Sequence, residues 1–269
     1  MDYRDPLPSS VSVAYLQGLV EHLQRQGVAP SRLLATVHLE PAILAQRDQR
    51  IAASAYLELV GAGVRLSGDD NLGLHLGEAV RPGYYGVLGY LIMSCATLAD
   101  ALHRQARYAA LVGNLGRVEL ADEPPRPGYE ALVRHSWTPL LPQQQRQMSE
   151  ETLAGWVSFG HWVSGVDEPP VEVRFCHSAP ADVSEHERIF RCPVLFDQPD
   201  NALVFPKRLL ALPLGQADAQ VQRTLDAYAE RLLAQINKGD SVLDRARLAL
   251  ARQLPEQGAE LERLAQTLA

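Results

Sequence analysis

A chain of 269 residues, 46% of them hydrophobic, holds enough apolar material for one large domain or two modest ones. Its formal net charge of −7 argues against a nucleic-acid-binding surface, which needs clustered Lys and Arg to neutralise phosphates. Three scattered cysteines without a CxxC pair, Cys95, Cys176 and Cys192, fit buried thiols in a reducing compartment. No stretch has the apolar length of a membrane span or a signal-peptide core, so a soluble, cytoplasmic protein is expected.

Residues 1–10, polar and carrying Pro6 and Pro8, read as a mobile tail. Val13, Leu16, Val20 and Leu23 recur at helical spacing, predicting a helix from near Ser12 to Gly27. Pro30 opens a short helix to Val37 and Pro41 another to about Arg47. A longer helix runs from Ala53 to Leu66, and a further one from Asn71 to Ala79. The stretch 81–113 predicts a turn at Pro82-Gly83, a helix with Leu88, Leu91, Ile92 and Cys95 on one side, and a second helix that Gly113 is placed to end. Gly86 and Gly89, one helical turn apart, leave room for a close neighbour. Thr97-Leu-Ala-Asp100 is a capping box for the second helix.

The pattern changes after Gly113. Alternation over 114–120 and 129–137 predicts two antiparallel strands joined by the proline-rich loop ADEPPRPG. Pro139 and Pro142 lead into a long helix to about Val163, with Met148, Leu153, Trp156, Val157 and Gly160 inward. A strand at 171–175, a helix at 181–190 and a strand at 202–205 complete an α+β domain: a helical N-terminal half packed with a small, mainly antiparallel sheet and helices. From Asp218, Val221, Leu225, Tyr228 and Leu232 form a narrow helical seam that either pairs with a second copy or packs on its own domain. Lys238-Gly239-Asp240 reads as a break. Ser241 then caps a helix bearing Val242, Ala246, Leu250 and Leu254, and one more helix begins near Leu261.

Two runs are similar to a known family. The first is G-x-L-G-Y at Gly86–Tyr90, T-L-x-x-A-L at Thr97–Leu102 and A-R-Y at Ala106–Tyr108. The second is C-P-V-x-F at Cys192–Phe196, N-A-L-x-F at Asn201–Phe205 and L-x-x-P-L at Leu210–Leu214. From about Val11 onward the chain resembles AraC-type (AraC/XylS) bacterial transcription regulators, in which an effector-binding, arabinose-binding-like domain precedes a helix-turn-helix DNA-binding domain. The resemblance implies a tail at 1–10, an effector-binding domain at 11–215, a linker or dimerisation helix at 216–239, and the beginning of a truncated DNA-binding domain at 240–269. The second helix of a helix-turn-helix, the one that enters the major groove, is missing from it. The implied partners are a small-molecule effector, a second copy in a homodimer, and DNA only through the C-terminal domain missing from this chain. No membrane and no cofactor are implied.

No catalytic motif is present. G-x-S-x-G, H-E-x-x-H and P-loop patterns are absent, and Gly61-Ala-Gly63 lacks a third glycine at Leu66. His186 lies between Glu185 and Glu187, but sequence neighbours on a helix do not face each other, so it reads as solvated. Cys176-His177 has no second ligand pair to make a metal site. Neither enzyme activity nor a metal is expected. An effector pocket needs apolar walls and a few orienting polar groups. The candidates are Tyr84, Tyr85, Tyr90, Met93, Tyr108, His135, Trp137, Trp156 and Phe159, with Arg81, Arg104 or Arg107 to meet a carboxylate. For each, core packing or a solvated helix face is the alternative. A fatty-acid-like or other amphipathic carboxylate is the expected effector, with an amino acid or related metabolite as the rival. A ligand-independent dimerisation or interaction module is the competing class of function.

Overall fold

Ser12 ends an extended segment and starts a helix, its hydroxyl accepting the Tyr15 N–H at 3.2 Å. The computed structural model describes residues 10–121, 131–137 and 142–239, with the backbone alone for 131–137, 142–144 and 237–239. Helix α1 (Val13–Arg25) buries Val13, Leu16, Leu19, Val20 and Leu23, and the chain turns away at Gly27 with a φ of 88°. Helix α2 (Pro30–Leu34) continues as a 3-10 turn to Val37, and a second 3-10 turn spans Pro41–Ala45. Helix α3 (Ala53–Ser67) stops at Gly68 in the left-handed region, and α4 (Leu72–Glu78) follows. These are the helices the sequence predicts.

The expected tail stops earlier than read, because Ser10–Ser12 is a strand, β1. It pairs antiparallel with β2 (Arg50–Ala52), and Val11 lies opposite Ile51. Residues 1–9 of the expected tail lie outside the described residues.

A 3-10 turn at Pro82–Tyr85 leads into α5 (Val87–Met93), and α6 (Leu98–Val112) comes after the Thr97 cap. The Thr97 hydroxyl accepts the Asp100 N–H at 3.2 Å, while the Asp100 carboxylate reaches back to the N–H of Ala96. The glycines act differently from expectation. Gly86 sits outside α5 with a φ of 58°, and the neighbour that presses on Gly89 is the Pro82 carbonyl of its own preceding turn. Gly113 ends α6 in extended backbone, bridging to Val11 instead of forming a left-handed cap. The carbonyls at that end are met by Arg50, which donates to Leu111 at 2.7 Å and Ala110 at 2.9 Å.

Strands β3 (Gly116–Ala121), β4 (Ala131–Trp137), β5 (Glu172–Arg174), β6 (Val194–Leu195) and β7 (Asn201–Phe205) form one sheet in the order β3-β4-β7-β5-β6. The predicted β3–β4 hairpin is present, and only the β5–β6 pair is parallel. Strand β7 is central and buried throughout, which explains its uninterrupted apolar run. Helix α7 (Pro142–Ser164) lies against α4, and α8 (Ser184–Phe190) packs beside both. Helix α9 (Ala219–Gly239) packs on α5 and α6. Its seam divides. Leu225 and Leu232 join Leu233 and Ile236 against the core of their own domain, whereas Val221 and Tyr228 point outward at 46% and 38% exposure. The helix runs through the expected break at Lys238 to Gly239; the capping box at Ser241 and the helices after it lie outside the described residues. Among the described residues, no helix is long and apolar enough to cross a membrane.

Candidate functional site

Helix α7 carries two consecutive buried glutamates that face opposite ways. Glu150, fully buried, accepts from Arg146 at 2.9 Å, and His186 Nε2 lies 2.7 Å from the same oxygen. His177 stands 3.7 Å away, and the rings of Phe175, Phe190 and Phe196 enclose the group. The solvated reading of His186 is therefore corrected. His186, Ile189 and Phe190 form the buried face of α8, so the histidine meets a carboxylate on α7 and not its sequence neighbours.

Glu151, 7% exposed, faces α1 and α3. The Tyr56 hydroxyl donates to it at 3.1 Å. Burial pushes its carboxyl up to about 7, against the pull of hydrogen bonds from Tyr15 and Tyr56. Among the described residues no Lys, Arg or His pairs with it.

Three voids run in series from this carboxylate. A small one of about 10 Å³ is lined by Glu151, Tyr15, Tyr85 and Gly77. Tyr15 and Tyr85 also wall a second, of about 60 Å³, closed by Gln105 and Ala109 of α6, Val118 of β3, and Thr152 and Trp156 of α7. Trp156 in turn walls a third, of about 90 Å³, lined by Leu98, Leu102, Leu203 and Phe205 with His161 and Glu168 among its few polar groups. One face of α6 (Leu98, Leu102, Gln105, Ala109, Val112) thus serves both larger cavities.

The structure sorts the candidates read from the sequence. Tyr85 and Trp156 meet at the middle cavity, and Phe159 packs edge-on against Tyr85. Tyr84 is adjacent but donates to Glu21 at 2.6 Å. Tyr90 is 51% exposed, and Met93 packs in the cluster shared with α9. Tyr108 donates to Glu230 at 2.6 Å, and Arg107 pairs with the same glutamate at the surface, so both turn towards α9. His135 and Trp137 are on β4, with His135 opposite Val118 in register; their side chains lie outside the described residues. Tyr15, Tyr56 and Glu151 escaped sequence reasoning because each sits among core residues of an ordinary amphipathic helix. Cys95 is fully buried and its thiol is pushed up to about 11 by desolvation, so little reactive thiolate is present.

A flanking face of α6 grips α9. Arg104 donates to Asp226 at 2.9 Å and also pairs with Asp100, and Gln222 donates to Asp100 at 2.6 Å. Arg104→Ala is expected to weaken this docking by about 1 kcal/mol, the upper end for a partly exposed ion pair. Amide exchange across α9 should then quicken about fivefold while α1 and α3 are unchanged. Unaltered exchange in α9 would show that the pair does not hold the helix.

Comparison with known proteins agrees with the resemblance. The family described as the arabinose-binding domain of AraC transcription regulators, N-terminal, matches residues 27–214. The ornithine utilization regulator of Pseudomonas aeruginosa is 27% identical over 259 residues, covering 96% of this chain and 75% of that protein. An uncharacterised HTH-type transcriptional regulator of Mycobacterium tuberculosis is 24% identical over 245 residues, covering 86% of this chain and 68% of its own. The crystal structure of the transcriptional regulator CdpR from Pseudomonas aeruginosa shares the fold, with a TM-score of 0.60 at 18% identity over 95% of this chain and 75% of that one. With the family match spanning well over half of its length, the chain belongs to the AraC-type transcription regulators and carries their arabinose-binding-type effector domain.

Proposed function

We propose that this chain senses a small metabolite in the cavities flanking Trp156 and passes the signal through α6 to α9. The observation that carries the reading is that α6 touches both: one face lines both cavities, and a flanking face holds α9 through Arg104 and Tyr108. A ligand that fits one setting of α6 better than another shifts the α9 population by its differential affinity. Pairing with a second copy through the outward Val221 and Tyr228 belongs to the same proposal, and DNA contact is assigned to the C-terminal domain that the family resemblance implies after α9.

The expected amphipathic carboxylate lacks a cationic anchor among the described lining residues of the middle cavity. Arg104 and Arg107 are committed to α9, and Arg81 is exposed. The rival, an amino acid or related metabolite, brings an ammonium that the Glu151 carboxylate beside this cavity can meet, and one relative is named for ornithine utilization. A thermal-shift screen of fatty acids and amino acids on the wild type and on Ala109→Leu, which fills the middle cavity, tests the sensor. At a concentration 100 times Kd, a ligand adds about 2.7 kcal/mol, a shift of several degrees. The variant should lose that shift. Silence from the wild type favours a ligand-independent module, and an undiminished shift in Ala109→Leu puts the site elsewhere.

A further inference from the structure

We infer that Glu151 is the recognition group for a ligand ammonium, the ligand being a small primary amine whose apolar body lies in the cavity beside Trp156. This rests on the sensor reading above. The contrast between adjacent residues carries it. Glu150 and Glu151 are both buried on α7, yet among the described residues the fold supplies Arg146 and His186 to the first and only tyrosine hydroxyls to the second. A buried carboxylate without a cation is costly, and a ligand cation relieves that cost.

The surroundings suit an ammonium group. The void beside Glu151, about 10 Å³, is the size of one water or one –NH3+. Tyr15 and Tyr85 flank it with rings 6.1 Å apart and 18° from parallel, offering π faces to a cation. The same two rings wall the middle cavity, so a head group at Glu151 and a body against Trp156 occupy neighbouring spaces. Other titratable groups nearby do not supply the charge. His22 lines the void but burial lowers its pKa, which keeps it neutral, and the Tyr84 hydroxyl is bound to Glu21.

Isothermal titration of the full chain with n-pentylammonium, pentan-1-ol and pentanoate separates the possibilities. The ammonium should bind at least tenfold more tightly than the alcohol or the carboxylate. At pH 6, where Glu151 is mostly protonated in the free protein, binding should release close to one proton per ligand, read from titrations in two buffers. Glu151→Gln should remove both the preference and the proton release. Equal or better binding of the alcohol or the carboxylate overturns the assignment, as does binding of none of the three. A preference that survives in Glu151→Gln also overturns it. If the alcohol or carboxylate binds and Ala109→Leu abolishes that binding, the sensor reading stands while the amine assignment falls. Proton release in the wild type needs no variant, so a poorly folded Glu151→Gln leaves the test intact.

Discussion

Gly73→Ala and Gly77→Ala should each destabilise the protein by about 3 kcal/mol or more, the upper range for overpacking a rigid contact. In a solvated helix the same change stabilises by about 0.5–1 kcal/mol, because alanine loses less backbone freedom on folding. The sign reverses here because α4 and α7 cross backbone to backbone. A Cβ at Gly73 would strike the Gln147 carbonyl. At Gly77 it would lie 2.6 Å from both the Glu151 carbonyl and the Gly155 nitrogen. Main-chain atoms inside a helix cannot rotate away, so the helices must separate. Gly61→Ala on α3 is the control, since its Cβ would meet only the flexible end of Arg65 at 3.5 Å. Urea denaturation should show two large losses and one small gain. Small effects at all three sites would mean that the crossing is not this close.

Glu151→Gln should stabilise the ligand-free protein at pH 8 by about 3 kcal/mol. A carboxyl raised from its ordinary 4.5 to about 7 on folding binds a proton more tightly in the native state. Native stability is therefore greatest below pH 4.5 for this group, falls as pH rises from 4.5 to 7, and is level above. The glutamine, which cannot ionise, removes that slope while keeping the contact with Tyr56. His75 adds a second falling window. Hydrogen bonds to Asp69 and Glu185 raise it to about 9, so its contribution is complete below 6.5 and disappears as pH rises through 9. Denaturation between pH 5 and 9 should lose the lower slope in Glu151→Gln and the upper one in His75→Gln. An unchanged profile in Glu151→Gln would mean that water or a cation reaches the carboxylate.

The helical half of the fold was legible because its boundaries are written in local chemistry: Ser12 and Thr97 as caps, prolines at first turns, and Gly68 as a stop. The short pairings were not. Ser10–Ser12 becomes a strand only because Arg50–Ala52, some forty residues on, lies beside it, and Val194–Leu195 is too brief to show a period. The site was half legible. Aromatic residues near Gly86 pointed to Tyr85, and Trp156 stood out on a long helix. Glu151 and His186 look like ordinary surface residues, and only the packing of helices distant in sequence buries them. The arginines misled for the converse reason, since their partners Asp226 and Glu230 lie more than a hundred residues away on α9.

Native mass spectrometry of the full chain and of Ala109→Leu, purified side by side, tests ligand sensing at Trp156 most directly. The expected result is a wild-type species carrying the added mass of one small molecule and a variant at its bare mass. An adduct retained equally by both proteins would contradict a ligand site between α6 and α7.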